Sequence, residues 1–144
     1  MPYRHTEFGT LILVVCLIIA ALGAAMMWHK AQAPMILMLA ILGAVVVFFH
    51  SLTVEIGDNE LRWHFGPGLW TYRLPQNEIE SVAAVHNHWW NGFGIRTAPG
   101  FTLYNVSGLD AVEFKLKSGG VKRIGTDDPT GLAAVMRTQF ERGA

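Results

Sequence analysis

In 144 residues, 51% of them hydrophobic, the chain sets 11 Lys and Arg against 11 Asp and Glu and carries a single cysteine. A balanced charge with both signs interspersed excludes the one-faced basic footprint of a nucleic-acid binder, and one cysteine, Cys16, excludes an intramolecular disulfide. Nine of the basic and ten of the acidic residues fall in residues 53–144, a length that supports one compact core and not two.

A short N-terminal tail, residues 1–9, leads into two uncharged apolar stretches, residues 9–28 and 31–52, separated by little more than His29 and Lys30. Twenty helical residues span roughly 30 Å, about the hydrocarbon thickness of a bilayer. Both stretches are therefore expected to be membrane spans, forming a helical hairpin over residues 10–52 with Pro34 in the first turn of the second helix. Arg4 before an apolar run that ends in small residues also resembles a signal peptide, but the run continues through Met26, Met27 and Trp28 and a second one follows. Arg4, the N-terminal amine and Arg62 against Lys30 in the loop favour a cytoplasmic N-terminus and C-terminal domain, a multi-pass arrangement in the inner membrane. Small residues at four-residue spacing, Ala20/Ala24, Ala21/Ala25 and Ala40/Ala44, are expected to let the two helices approach closely.

Beyond the anchor, in residues 53–144, the apolar period changes to two. Leu61, Trp63 and Phe65 alternate with Glu60, Arg62 and His64; after the break at Gly66-Pro67-Gly68, Trp70, Tyr72 and Leu74 alternate with Thr71 and Arg73. This predicts a hairpin with an aromatic inner face. The same pattern predicts seven strands, at 52–56, 60–65, 70–74, 79–86, 101–106, 111–117 and 121–124, with turns at Gly57-Asp58-Asn59, Gly108 and Ser118-Gly119-Gly120. The period then returns to 3.6, with Leu132, Val135, Met136 and Phe140 on one stripe of a helix over 129–142, capped by Asp128 with Pro129 at its first position and Asp127 at its positive end.

Seven antiparallel strands followed by one capping helix is the element order of the pleckstrin-homology fold. Gly94-Ile95-Arg96, Leu103-Tyr104-Asn105-Val106-Ser107-Gly108, Ala111-Val112-Glu113 and Arg123-Ile124-Gly125-Thr126-Asp127-Asp128-Pro129 resemble small bacterial membrane proteins with a PH-like domain, a family of unknown function. The resemblance implies a two-helix transmembrane hairpin followed by a mainly-β PH-like domain, a seven-stranded bent antiparallel sandwich capped by a C-terminal α-helix. It implies a fold and a location, not an activity.

The segment His86-Asn87-His88-Trp89-Trp90-Asn91-Gly92-Phe93-Gly94 is the most unusual in the chain. His88, Trp89, Trp90, Phe93 and the following Arg96 are candidate contacts for a protein partner or a second copy of the chain; the alternative places Trp89, Trp90 and Phe93 back in the core. Arg62 and Arg73, on the outer face of their hairpin, are candidate lipid contacts and, with Arg96, an alternative site for an anionic headgroup. Gly57-Asp58-Asn59 is acidic where a phosphoinositide reader carries cations. A metal enzyme using His64, His86 or His88 is the competing class, but it has no cysteine in the domain and no spacing that converges the histidines. Ser81, Ser107 and Ser118 lack a nucleophile-elbow setting, and no phosphate-binding loop is present. The expected function is binding or assembly beside the bilayer, without catalysis, metal or cofactor, with lipid and protein rather than nucleic acid as partners.

Overall fold

The computed structural model describes residues 3–28, 30, 33–57, 59–91 and 94–143, with the side chains of residues 140, 141 and 143 left out. Strand β1 (Tyr3–Phe8) runs into helix α1 (Thr10–Met27), and helix α2 (Ala33–Phe49) runs into strand β2 (Ser51–Ile56). The two strands pair antiparallel from Tyr3↔Ile56 to Phe8↔Ser51, and the Gly9 N–H donates to the His50 carbonyl at 2.7 Å. Within the expected tail, Tyr3–Phe8 are thus an edge strand, and the helical pair is the connection between the first two strands of the sheet. A Cβ on Gly9 would lie 2.7 Å from the Phe49 carbonyl oxygen, so only glycine lets the two strand-to-helix junctions pass this closely.

By length and composition α1, with 18 residues, is able to cross a membrane. The equally uncharged α2 has 17 residues and falls short of that length, so among the described residues one helix qualifies where two were expected. The helices pack through Cys16 and Gly23, the buried positions of α1. Ala21, Ala24, Ala25, Ala40 and Ala44 are exposed, and only Ala20 of the anticipated small-residue pairs is partly covered. The seven-residue spacing of Cys16 and Gly23 selects a narrow seam that excludes the other alanines.

Strand β3 (Glu60–Phe65) and β4 (Thr71–Pro75) extend β1 and β2 into a four-stranded antiparallel sheet of order β1-β2-β3-β4. The second sheet comprises β5 (Ile79–His86), β6 (Gly94–Ala98), β7 (Phe101–Asn105), β8 (Asp110–Leu116) and β9 (Val121–Gly125), in the order β5-β8-β9-β7-β6. Among the described residues nine strands therefore stand where seven were expected, β1 and β6 being the additions. Nor is the domain wholly antiparallel, because β7 pairs parallel with β9. The β8–β9 hairpin inserts between β5 and β7, which leaves the β6–β7 hairpin on the outside and sets two like-directed strands side by side.

The core forms between the sheets. Trp63 on β3 is fully buried, stacked on Tyr72 at 5.6 Å and met edge-on by Tyr104 of the second sheet at 5.1 Å. Helix α3 (Pro129–Gly143) closes the domain by burying Leu132, Ala133 and Met136 against β5 and β8. Leu and Met side chains contribute roughly 1.5–3 kcal/mol each when fully buried, so α3 is part of the core. Phe140, expected on the same stripe, lies outside the described side chains. Asp128 caps α3 as expected, its Oδ1 accepting from the Gly131 N–H at 3.1 Å. Its other oxygen accepts from the Tyr3 hydroxyl at 3.1 Å, which ties β1 to the start of the last helix.

Candidate functional site

The loop after β5 presents its indoles to the outside. Trp89 and Trp90 form a single 3-10 turn with Asn91 and are 75% and 64% exposed. The His88 ring lies flat on Trp90 at 4.2 Å, and Trp89 meets Trp90 edge-on at 5.9 Å. The core alternative for these two tryptophans therefore does not describe the structure. Phe93 falls outside the described residues. The base of the loop is fixed from below: buried Asn87 receives the Arg123 guanidinium at 3.1 Å, Arg123 also donates to Glu113 at 2.8 Å, and the guanidinium lies over the Phe101 ring at 3.9 Å. Exposed aromatic rings on a clamped base lose little conformational freedom on binding, the property that makes tryptophan an interface anchor.

A second aromatic segment escaped the sequence pattern. Trp70, expected on the inner face of β4, precedes that strand and is 71% exposed beside Leu69 at 63%. The Trp70 ring lies 6.0 Å from Phe48 in the last turn of α2, and the two rim a cavity of about 180 Å³ floored by Phe49, Phe65 and Tyr72. Ile95 also lines it and borders a shallower groove of about 330 Å³ with Ile12, Val45 and Phe49. Arg96 is exposed at the rim of that groove, on β6, beside the helices. A period-two reading counted Trp70 as a strand residue because it keeps parity with Tyr72 and Leu74. The turn that begins at Gly66 extends through it.

The other arginines are arranged differently. Arg62 and Arg73 face each other across β3 and β4 on the outer face, as alternation requires, in a row that runs Arg4, Glu55, Arg62, Arg73 across the sheet. Arg4 pairs with Glu55 at 3.2 Å, and Arg62 pairs with Glu60. Arg62 stands three residues along β3 from Phe65, about 10 Å at strand rise. Arg96 lies on the second sheet and does not join this row.

The candidate histidines do not converge: the buried Nδ1 of His64, on β3, has no hydrogen-bond partner, and the others are engaged separately. His86 bonds Asp110 at 2.8 Å, His88 stacks on Trp90, and His5 bonds Asp127. Among the described residues no group of three or more His, Cys, Asp and Glu side chains is placed to hold a metal ion.

The most perturbed acid was not a candidate in the sequence. Glu7, 7% exposed, points inward from β1 with Tyr3 and His5, and its Oε2 has no hydrogen-bond partner. Burial pushes its carboxyl up to about 8, with Asp127 and Asp110 adding repulsion. Burial, then the neighbouring Asp128 carboxylate, pushes the Tyr3 phenol up as well. Alternation of polar residues in the first eight positions was the available signal, masked because the inward face of β1 is itself polar. Compared with known proteins, the chain matches no protein-family model and no curated protein.

Proposed function

We propose that this chain is a membrane-anchored, PH-like module that works by binding or assembly and not by catalysis, with His88, Trp89 and Trp90 as the contact surface for a protein partner or a second copy. The observation that carries the reading is the exposed indole pair on a base clamped by Asn87, Arg123 and Glu113. In this reading α1 and α2 both cross the inner membrane as a hairpin, and the N-terminus and the β-domain lie in the cytoplasm. The pairing of Phe8 with Ser51 supports it, because the two helices begin and end at one level. Two sheets closed by a C-terminal helix support the PH-like assignment, while the parallel β7–β9 pair departs from a simple antiparallel meander.

The test is crosslinking and pull-down from native membranes with the wild-type chain and a Trp89→Ala/Trp90→Ala variant whose fold is checked by circular dichroism. The expected result is at least a tenfold loss of a specific crosslinked species. Retention of every crosslink by the folded variant refutes the assignment of contact to this loop.

A further inference from the structure

We propose that the β3–β4 turn, from Gly66 to Trp70, is seated in the lipid headgroup–acyl boundary, with Leu69 and Trp70 inserted and the cavity beneath them taking a lipid acyl chain. The inference rests on the membrane-anchor reading and adds a second, non-helical membrane contact to it.

The height of the turn is set by backbone contact. Gly66 has φ +51°, and a Cβ there would lie 2.6 Å from the Val47 carbonyl oxygen and 2.8 Å from that of Phe48. The Gly66 N–H donates to Ser51 at 2.9 Å. The turn is therefore pressed onto the last turn of α2, at the level where an apolar helix leaves the bilayer. From that level the chain projects Leu69 and Trp70 outward, both more than half exposed, with Trp70 reaching back to Phe48. Tryptophan is enriched at this depth because its ring is apolar and its N–H needs a polar partner.

The cavity under the turn explains which occupant fits. Phe48, Phe49, Phe65, Tyr72 and Ile95 line it with aromatic and aliphatic groups, the first two belonging to the end of α2. An apolar hollow at that position faces acyl chains at all times, whereas a protein partner would have to displace them first. Continuity with the helix surface therefore selects lipid.

The experiment uses the full chain in lipid nanodiscs with Cys16→Ser as background and a nitroxide attached through Leu69→Cys, Leu17→Cys or Ser118→Cys in turn. Leu17 is exposed on α1, and Ser118 is exposed in the β8–β9 turn. The expected result is that the label at 69, like that at 17, collides more with oxygen than with a water-soluble nickel chelate, while the label at 118 does the reverse. If 17 is lipid-exposed and 69 matches 118, the turn lies in water and the inference falls. A label at 69 shielded from both reagents shows a protein covering the turn and also overturns it. If 17 itself is water-accessible, the anchor reading fails and takes the inference with it. Quenching by lipids brominated along the acyl chain supplies a second readout: Trp70→Phe should remove a quenched component of the fluorescence, and an unchanged quenching profile counts against acyl contact.

Discussion

Glu7 shows how one side chain reports on its surroundings. An edge strand that turns a carboxyl inward is poorly suited to pair with another chain, a recognised safeguard of exposed sheet edges. The cost appears in the titration. The folded carboxyl gives up its proton near 8 and an unfolded one near 4.5, so between these values the folded state holds the extra proton. Stability therefore falls as pH rises from about 4.5 to about 8 and levels off above. Asp127 and Asp110 extend the loss to higher pH by raising the folded carboxyl further, and His5 faces the same region while bonded to Asp127. Glu7→Gln keeps the shape and removes the ionisation. The variant is expected to exceed wild type by roughly 2–4 kcal/mol at pH 8 and to match it within about 0.5 kcal/mol at pH 4. Denaturant unfolding in detergent micelles at both pH values checks this; parallel pH profiles for the two proteins would show that Glu7 is already ionised when folded.

Among the elements, α3 is held at its start by a carboxylate with two duties. Asp128 caps the helix through Gly131 and anchors β1 through Tyr3. A cap is worth about 1 kcal/mol, and a hydrogen bond to a charged acceptor about 1.5–3 kcal/mol. Asp128→Ala is expected to cost about 2–3 kcal/mol and to raise amide exchange in β1 as well as in the first turn of α3, whereas Asp128→Asn should recover most of the loss. Exchange confined to α3 would mean that Tyr3 does not tether the strand. The cap was legible in Asp128-Pro129, since capping is a matter of adjacent residues. The tether was not, because its partners lie 125 positions apart. The seven expected strands emerge within about a residue of their expected limits; β3 alternates strictly over one buried face, whereas β5, β8 and β9 do not and are delimited by the turn residues around them. Strand β6, Gly-Ile-Arg-Thr-Ala, is largely exposed and shows no such alternation.

For the whole molecule, the decisive feature is the absence of a linker. Both helices continue directly into paired strands, and the β3–β4 turn sits against the end of α2 through Gly66. Gly66→Ala meets both an unfavourable φ and the Val47 and Phe48 carbonyls, so a loss of about 2–3 kcal/mol is expected. The fastest-exchanging new amides should lie in residues 47–52 and 65–70. A variant as stable as wild type would show that the turn does not bear on α2.

What the sequence determined by itself is local: two uncharged helices, a run of half-buried strands, and a capped amphipathic helix at the end. Periods of 3.6 and 2 and the chemistry of caps and turns act between near neighbours, so they can be read without coordinates. The tertiary structure alone decided that the helices interrupt a sheet, that β9 lies beside β7, that Glu7 is buried and that Trp70 is not. Each of those outcomes depends on which distant strand pairs with which, and pairing is selected by the fit of whole faces, a quantity that no short stretch of sequence contains.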